Sequence, residues 1–499
     1  MYTFISMDFL TSLLVIISIV WICIISLSPN PRARRLPPGP YQFPIIGNIL
    51  ELGPKPHRSL AKLSRKYGPV MSLKLGSITT VVISSPETAK IVLQTHDLLF
   101  SSRKIPASVS AALQHDKFSL VWLPVDNQWR KLRKICKEQM FSAARLDASQ
   151  GLRREKLQKL RDYVRDCSET GRVLDIGEAA FTTALNLMSA TLFSVEFAQF
   201  GSDSSQEMKE VVWGVMKCVG SPNFADYFPI LKSVDPQGIL KDAVICFGKL
   251  FKIFDRFINE KMKCRGGNND LVDALIDIHQ KDEAQLTIND IKHLLLDLFV
   301  AGSDTTSGTV EWAMTELLRN PDKMSKVRHE IRDIIGENKQ VEESDIPRLP
   351  YLQAVVKETF RLHPAAPFLV PHMARSDVEV NGYIVPKHAQ VLVNVWASGR
   401  DPSIWTDVDL FRPERFLNGN DQIDFRGKDF ELIPFGAGRR ICPGLPLAHR
   451  MVHLMLATLV GNFGWNLIEG TKPNDIDMDE KFGLTLQKAV PLKAVPVKL

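Results

Sequence analysis

Phe435-Gly436-Ala437-Gly438-Arg439-Arg440-Ile441-Cys442-Pro443-Gly444 sets a lone thiol in a tight loop punctuated by glycines, and an apolar helical stretch, roughly Leu445 to Phe463, follows it. A cysteine at a helix N-terminus meets unsatisfied backbone N–H groups and the positive end of the helix dipole. Both favour the thiolate, which is the metal-ligating form. Gly438 and Gly444 let backbone pass close to a bulky group, and Arg440 meets an anion two residues before the sulfur. A haem has that shape: a flat macrocycle, an iron that needs an axial ligand, and two propionates. A buried structural cysteine is the commoner fate of a single thiol, but the frame around Cys442 outweighs that reading.

The frame Phe435-x-x-Gly438-x-Arg440-x-Cys442-x-Gly444 resembles the haem-binding loop of the cytochrome P-450 family at all five signature positions. Four more signatures follow in the family's order, so the resemblance covers nearly the whole chain. It implies a mainly α fold with a smaller β part, and haem b (iron protoporphyrin IX) held between long helices. Cys442 is then the axial iron ligand, with Phe435, Gly438, Arg440 and Gly444 around the ring.

On the other side of the expected haem, Thr287 with Asp290 opens a helix by a capping-box pattern. The helix runs about thirty residues to Asn320-Pro321, where the proline stops it. Its middle, Ala301-Gly302-Ser303-Asp304-Thr305-Thr306, is a poor stretch for helix stability. Threonine hydroxyls that bond one turn back bend a helix, and a widened turn here makes a groove for O2 and a water. The run is similar to the family's oxygen-activation motif. By that resemblance Thr305 hydrogen-bonds the oxygen being activated, Asp304 relays protons, and Ala301 and Gly302 leave room over the iron.

Glu358-Thr359-Phe360-Arg361 matches the family's E-x-x-R, and a spacing of three puts both charges on one helix face. With Arg415, from Phe411-Arg412-Pro413-Glu414-Arg415-Phe416, they resemble a buried structural triad that fixes the cysteine loop. Trp129 and Arg133 share a helix face and resemble the family's W-x-x-x-R, which contacts a haem propionate. Arg103, His372 and Arg440 stand at matching positions for the same task. Guanidinium suits carboxylate because it donates in a planar fork. His363 and His449 are rival imidazole ligands, but neither has a glycine frame around it.

The chain has 499 residues with no linker after position 45, and the haem signals spread from Arg103 to Cys442, so one large domain over 46–499 must gather them. Seven scattered cysteines show no metal-ligand spacing and fit a reducing compartment. A net charge of +6 with no basic–aromatic stripe does not point to nucleic acid. Phe9 to Leu27 is apolar apart from Thr11, Ser12, Ser18 and Ser26. At about 1.5 Å per residue its nineteen residues span roughly 28 Å, close to a bilayer core. Arg32, Arg34 and Arg35 follow it, which places them and the rest of the chain in the cytoplasm. The reading is a signal-anchor over 1–28 in the endoplasmic reticulum membrane, single-pass, then a stiff proline-rich hinge over 29–45 (Leu36-Pro37-Pro38-Gly39-Pro40) that resembles that of microsomal members.

Thiolate ligation favours O–O cleavage. The family reaction is R–H + O2 + two electrons + two protons giving R–OH + H2O. No flavin or nicotinamide site is visible, so electrons come, by resemblance, from an NADPH–cytochrome P-450 reductase in the same membrane. Arg130, Lys134 and Lys137 offer it a basic helix face. Segments at the family's substrate positions are apolar: 107–121, 211–228, Leu296 to Val300 with Phe299, Ala365 to Val370 with Ala366, Phe368 and Leu369, and Phe482-Gly483-Leu484. A small lipophile arriving from membrane lipid is expected. The motifs look most like plant microsomal members that hydroxylate monoterpenols such as geraniol, or abietane diterpenes. Two other classes stay open. One is a haem–thiolate enzyme for rearrangement, dehydration or coupling of another plant secondary metabolite, against which Thr305 counts. The other is a haem or lipid carrier, which would not need Asp304-Thr305.

Overall fold

A computed structural model describes residues 11–20, 36–263, 270–282, 285–336, 339–417 and 423–499. Five helices frame the site: α1 (Asn127–Cys136), α2 (Ile176–Phe193), α3 (Ile288–Arg319), α4 (Pro350–Leu362) and α5 (Leu445–Asn462). Their ends follow from local chemistry. Asp126 caps α1 by accepting from the Trp129 N–H at 2.9 Å. The expected capping box of α3 is present: Asp290 N–H donates to Thr287 Oγ1 at 3.1 Å, and Thr287 N–H to Asp290 Oδ2 at 2.9 Å. Pro350 opens α4 where no N–H is needed.

α3 is 32 residues long and buried along most of its length, packed against α2. The two approach closely at Gly302, where a Cβ would stand 2.7 Å from Met188 Sδ. Gly302 therefore serves helix packing as well as the site. The expected widened turn is absent: α3 is continuous α-helix through 301–306. Ser303, Thr305, Ser307 and Thr309 each donate to a carbonyl four residues back at 2.8–2.9 Å, and the helical ladder stays intact beneath them.

The smaller β part is present. Val70–Leu75 pairs antiparallel with Ile78–Ile83, which runs parallel to Gln390–Val393. His372–Met373 and then Ser102–Arg103 complete this five-stranded sheet. An Asn-Gly hairpin joins Val378–Val380 to Tyr383–Val385, with Asn381 and Gly382 both at positive φ (50° and 81°). A C-terminal hairpin pairs Glu480–Phe482 with Leu486–Lys488.

The expected anchor falls mostly outside the described residues; residues 11–20 are helical with every side chain exposed. Among the described residues no helix is long and apolar enough to cross a membrane. The described part of the proline-rich stretch is tied to the sheet edge. Ser72 donates its hydroxyl to the Pro37 carbonyl at 2.6 Å and its N–H to the Pro38 carbonyl at 2.8 Å.

Candidate active site

Between α3 and the cysteine loop lies a cavity of about 300 Å³, whose wall includes Cys442 on one face and Ala301, Gly302 and Thr305 on the other. The loop is a backbone construction. Cys442 N–H donates to the Phe435 carbonyl at 2.9 Å, and Gly438–Arg440 forms a single 3-10 turn. Gly438 has φ +63°, and a Cβ there would collide with the Leu93 carbonyl oxygen. Gly438 does not line the cavity. Its glycine thus permits the loop to pack on the 91–95 turn, not the approach of a macrocycle. Gly444 behaves in the opposite way. Its φ of −79° suits any residue, and a Cβ would lie 3.8 Å from Cys442 Sγ, in ordinary contact. It stands on the cavity wall, where a side chain would intrude on an occupant.

The helix N-terminus favours the thiolate as expected, but it acts against burial. Burial, the largest influence, pushes the Cys442 thiol up; N–H groups of Gly444 and Leu445 and the Arg133 guanidinium pull it down without winning. All five cysteines among the described residues are free, so Cys442 has no disulfide partner there.

At one edge of the cavity three guanidinium groups converge. Arg133 donates to the Ile441 carbonyl at 2.5 Å, Arg440 to those of Ser101 (2.9 Å) and Leu123, and Arg103 to that of Val370. Arg103 and His372, 269 positions apart, are cross-strand neighbours. Trp129 donates its indole N–H to the Leu120 carbonyl at 3.1 Å, and the Arg440 guanidinium lies 5.0 Å from its ring centre. Among the described residues none of the three arginines has a carboxylate within ion-pair distance, and Arg103 Nε is buried without a hydrogen-bond partner. Burial pulls all three pKa values down, that of Arg440 to about 10, and repulsion adds to it at Arg103 (from Arg440) and at Arg440 (from Arg133). Buried cations whose only acceptors are backbone carbonyls lack a counter-ion. The two propionates of a haem would supply the missing charge. The residues present fit a haem: a thiol on the face, a cationic edge, and a wall position kept free of a side chain.

His372 is buried and held neutral, first by burial and then by Arg103 and Arg440. Its Nδ1–H donates to the Phe100 carbonyl at 2.7 Å. Nε2 then donates to a carboxylate only in the imidazolium form, so His372 shapes the edge more than it neutralises it. Neither rival histidine lines the cavity. His363 stacks on Trp312 and bonds Glu316 at 2.7 Å; His449 sits against Phe425 and His453.

The triad assembles. Arg361 donates to both Glu358 oxygens at 2.7 and 2.8 Å, and Arg415 Nε to Oε1 at 3.0 Å. The adjacent Phe360 packs edge-on against Phe435 at 5.3 Å, which carries the order of α4 into the cysteine loop. Of the expected substrate contacts, Ala366, Leu369, Val370 and Leu484 line the cavity. Leu296, Phe299 and Val300 do not: they face the helical core, Phe299 against Phe197 and Phe254. Phe368 lines a second cavity of about 110 Å³, which shares Leu369 and Leu484 with the first. On α3 the wall instead includes Asp297, Leu298, Ala301, Gly302, Thr305, Thr306 and Thr309. Asp297 was missed; it accepts from Ser119 Oγ (2.8 and 2.9 Å) and lies 3.1 Å from His115 Nε2, fastening the 115–121 segment over the cavity. An acid on the apolar run one turn before Ala301 was the available signal. Asp304 is not on the wall.

A family model, Cytochrome P-450, matches residues 37–492. The chain belongs to the cytochrome P-450 family. It is a P-450 monooxygenase with the family's mostly helical fold and its haem. Similar proteins include cytochrome P-450 76T24 of Catharanthus roseus, 59% identical over 95% of each chain. Ferruginol synthase of Isodon rubescens is 54% identical over 94% of this chain and 95% of its own. Geraniol 8-hydroxylase of Catharanthus roseus is 52% identical over 99% and 100%.

Proposed function

We propose that this P-450 hydroxylates a small terpenoid, a monoterpenol or an abietane diterpene, at a C–H bond held over Thr305. The observation that carries the reading is the cavity itself: apolar Leu298, Leu369, Val370 and Leu484 enclose one polar strip formed by Asp297 and the threonines of α3. Relatives named for geraniol hydroxylation and ferruginol synthesis support the class. Haem, when bound, supplies the reductive activation of dioxygen. The chain does the rest: Cys442 ligates, the arginine edge orients, the apolar wall excludes water, and Thr305 and Asp304 handle protons.

The test is turnover with reductase, NADPH and a panel of both terpenoid classes under 18O2. The expected product keeps the carbon skeleton and carries one labelled hydroxyl. Products that are rearranged, dehydrated or unlabelled would favour the non-hydroxylating alternative.

Electrons come from an NADPH-dependent reductase docked on α1. Arg130, Lys134 and Lys137 are exposed while Trp129 on the same helix is buried. Reversing all three charges should slow reduction about tenfold at low salt, with the gap closing as salt rises. An unchanged reduction rate would rule this face out.

The catalytic domain sits on the cytoplasmic face of the endoplasmic reticulum membrane, behind the anchor and hinge read from the sequence. Exposed Phe43, Ile45 and Leu50 on one segment, and Ile230 and Val234 on another, support contact with lipid. Both segments meet at the Gly76-Ser77 turn: Gly76 N–H donates to Ile46 (3.3 Å) and Ser77 N–H to Tyr227 (2.8 Å).

A further inference from the structure

Asp304 sits one residue before Thr305 on α3, so its side chain turns about 100° away from the cavity. It is 2% exposed. Its two oxygens are taken up by one element far away in sequence. Thr485 donates its hydroxyl to Oδ2 at 2.6 Å, and Gln487 its amide to Oδ1 at 2.5 Å. Thr485 lines the cavity that contains Thr305, while Gln487 is only half-buried. Of the flanking hydroxyls, Ser303 and Ser307 both donate back to carbonyls of α3.

The hairpin turn that carries Thr485 is itself fixed. Leu484 N–H donates to the Met216 carbonyl at 2.9 Å and Leu486 N–H to that of Ala365 at 2.8 Å. A Cβ on Gly220 would collide with Leu484 backbone, so this approach needs glycine there. Leu484 is a wall residue too. One turn thus carries a substrate contact and, in the next residue, the partner of the buried acid.

We propose that Thr485 is the positioning residue through which Asp304 exchanges protons with the cavity, and that Gln487 holds the carboxylate in register on the outer side. The inference rests on the monooxygenase reading above. A hydroxyl donates one hydrogen bond while accepting another. Thr485 releases its proton into the cavity and takes one from protonated Asp304, whose carboxylate is recharged from solvent past Gln487. One proton enters, one leaves, and no electrons move.

The test compares Thr485→Val, which keeps the shape and loses the hydroxyl, with Thr485→Ser, which keeps it, in the holoenzyme with reductase. Thr485→Val should lose about a hundredfold in turnover, the lower end for a general acid–base group. Its reduction rate should be unchanged, its solvent isotope effect larger, and more of its electrons should end in hydrogen peroxide. Thr485→Ser should restore all three. Adding Asp304→Asn to Thr485→Val should cost little more than either alone, because both cut one path. Infrared titration of the Asp304 carboxyl, assigned against Asp304→Asn, gives a readout independent of turnover. Loss of a hydrogen bond to the carboxylate form should raise its titration point in Thr485→Val. Multiplicative losses, an unaltered isotope effect or an unmoved titration would overturn the proposal. Failure of the wild type to hydroxylate any terpenoid would instead remove the substrate reading, and the titration would still test the Thr485 contact.

Discussion

Glu358→Ala should cost about 3–5 kcal/mol of stability, the usual penalty for removing one member of a buried ionic network. Glu358 is fully buried, and its Oε1 accepts from Arg361, Arg415 and the Arg412 backbone N–H (2.8 Å). Without it, Arg361 stays 1% exposed, with only the carbonyls of Gly399, Val408 and Leu410 as acceptors. Ordinary domains have a margin of about 5–15 kcal/mol, so a loss of about 3–5 kcal/mol is roughly a fifth of it or more. The damage should reach the cysteine loop through Phe360 and Phe435. Thermal unfolding and haem content of the purified protein measure it. Glu358→Gln, which keeps the acceptor but not the charge, should fall between. A Glu358→Ala protein that melts with the wild type and carries full haem would show the triad to be dispensable.

Cys442→Ser should abolish turnover while leaving the fold largely in place. The side chains are nearly isosteric, and the backbone bond from Cys442 to Phe435 does not depend on the sulfur. What is lost is the electron-rich axial ligand that favours O–O cleavage. Circular dichroism should be unchanged, haem content reduced, and oxygenated product absent. Wild-type turnover in the serine variant would remove Cys442 from the chemistry.

These two residues were legible because their signals are local. Glu358 and Arg361, like Trp129 and Arg133, share a helix face, so spacing alone puts them together. The ten-residue frame around Cys442 is continuous in sequence. Sequence reasoning weakened wherever the contact is tertiary. Arg103 and His372 meet across a strand pair, and only resemblance brought them together. Leu296, Phe299 and Val300 lie in an apolar segment at the family's substrate positions, but the face of α3 that lines the cavity is the one with Asp297, Ala301 and Thr305. Core and pocket are both apolar, and composition does not distinguish them. The widened turn failed because hydroxyl bonds to carbonyls left the ladder of α3 intact. The partners of Asp304 were out of reach for a different reason: Thr485 and Gln487 lie some 180 residues away.

The most direct measurement is the absorption spectrum of the reduced full-length protein under carbon monoxide. A strongly red-shifted Soret band is expected, the mark of a thiolate ligand. A band at the position given by an imidazole ligand, in freshly purified protein that still hydroxylates its substrate, would contradict the assignment of Cys442.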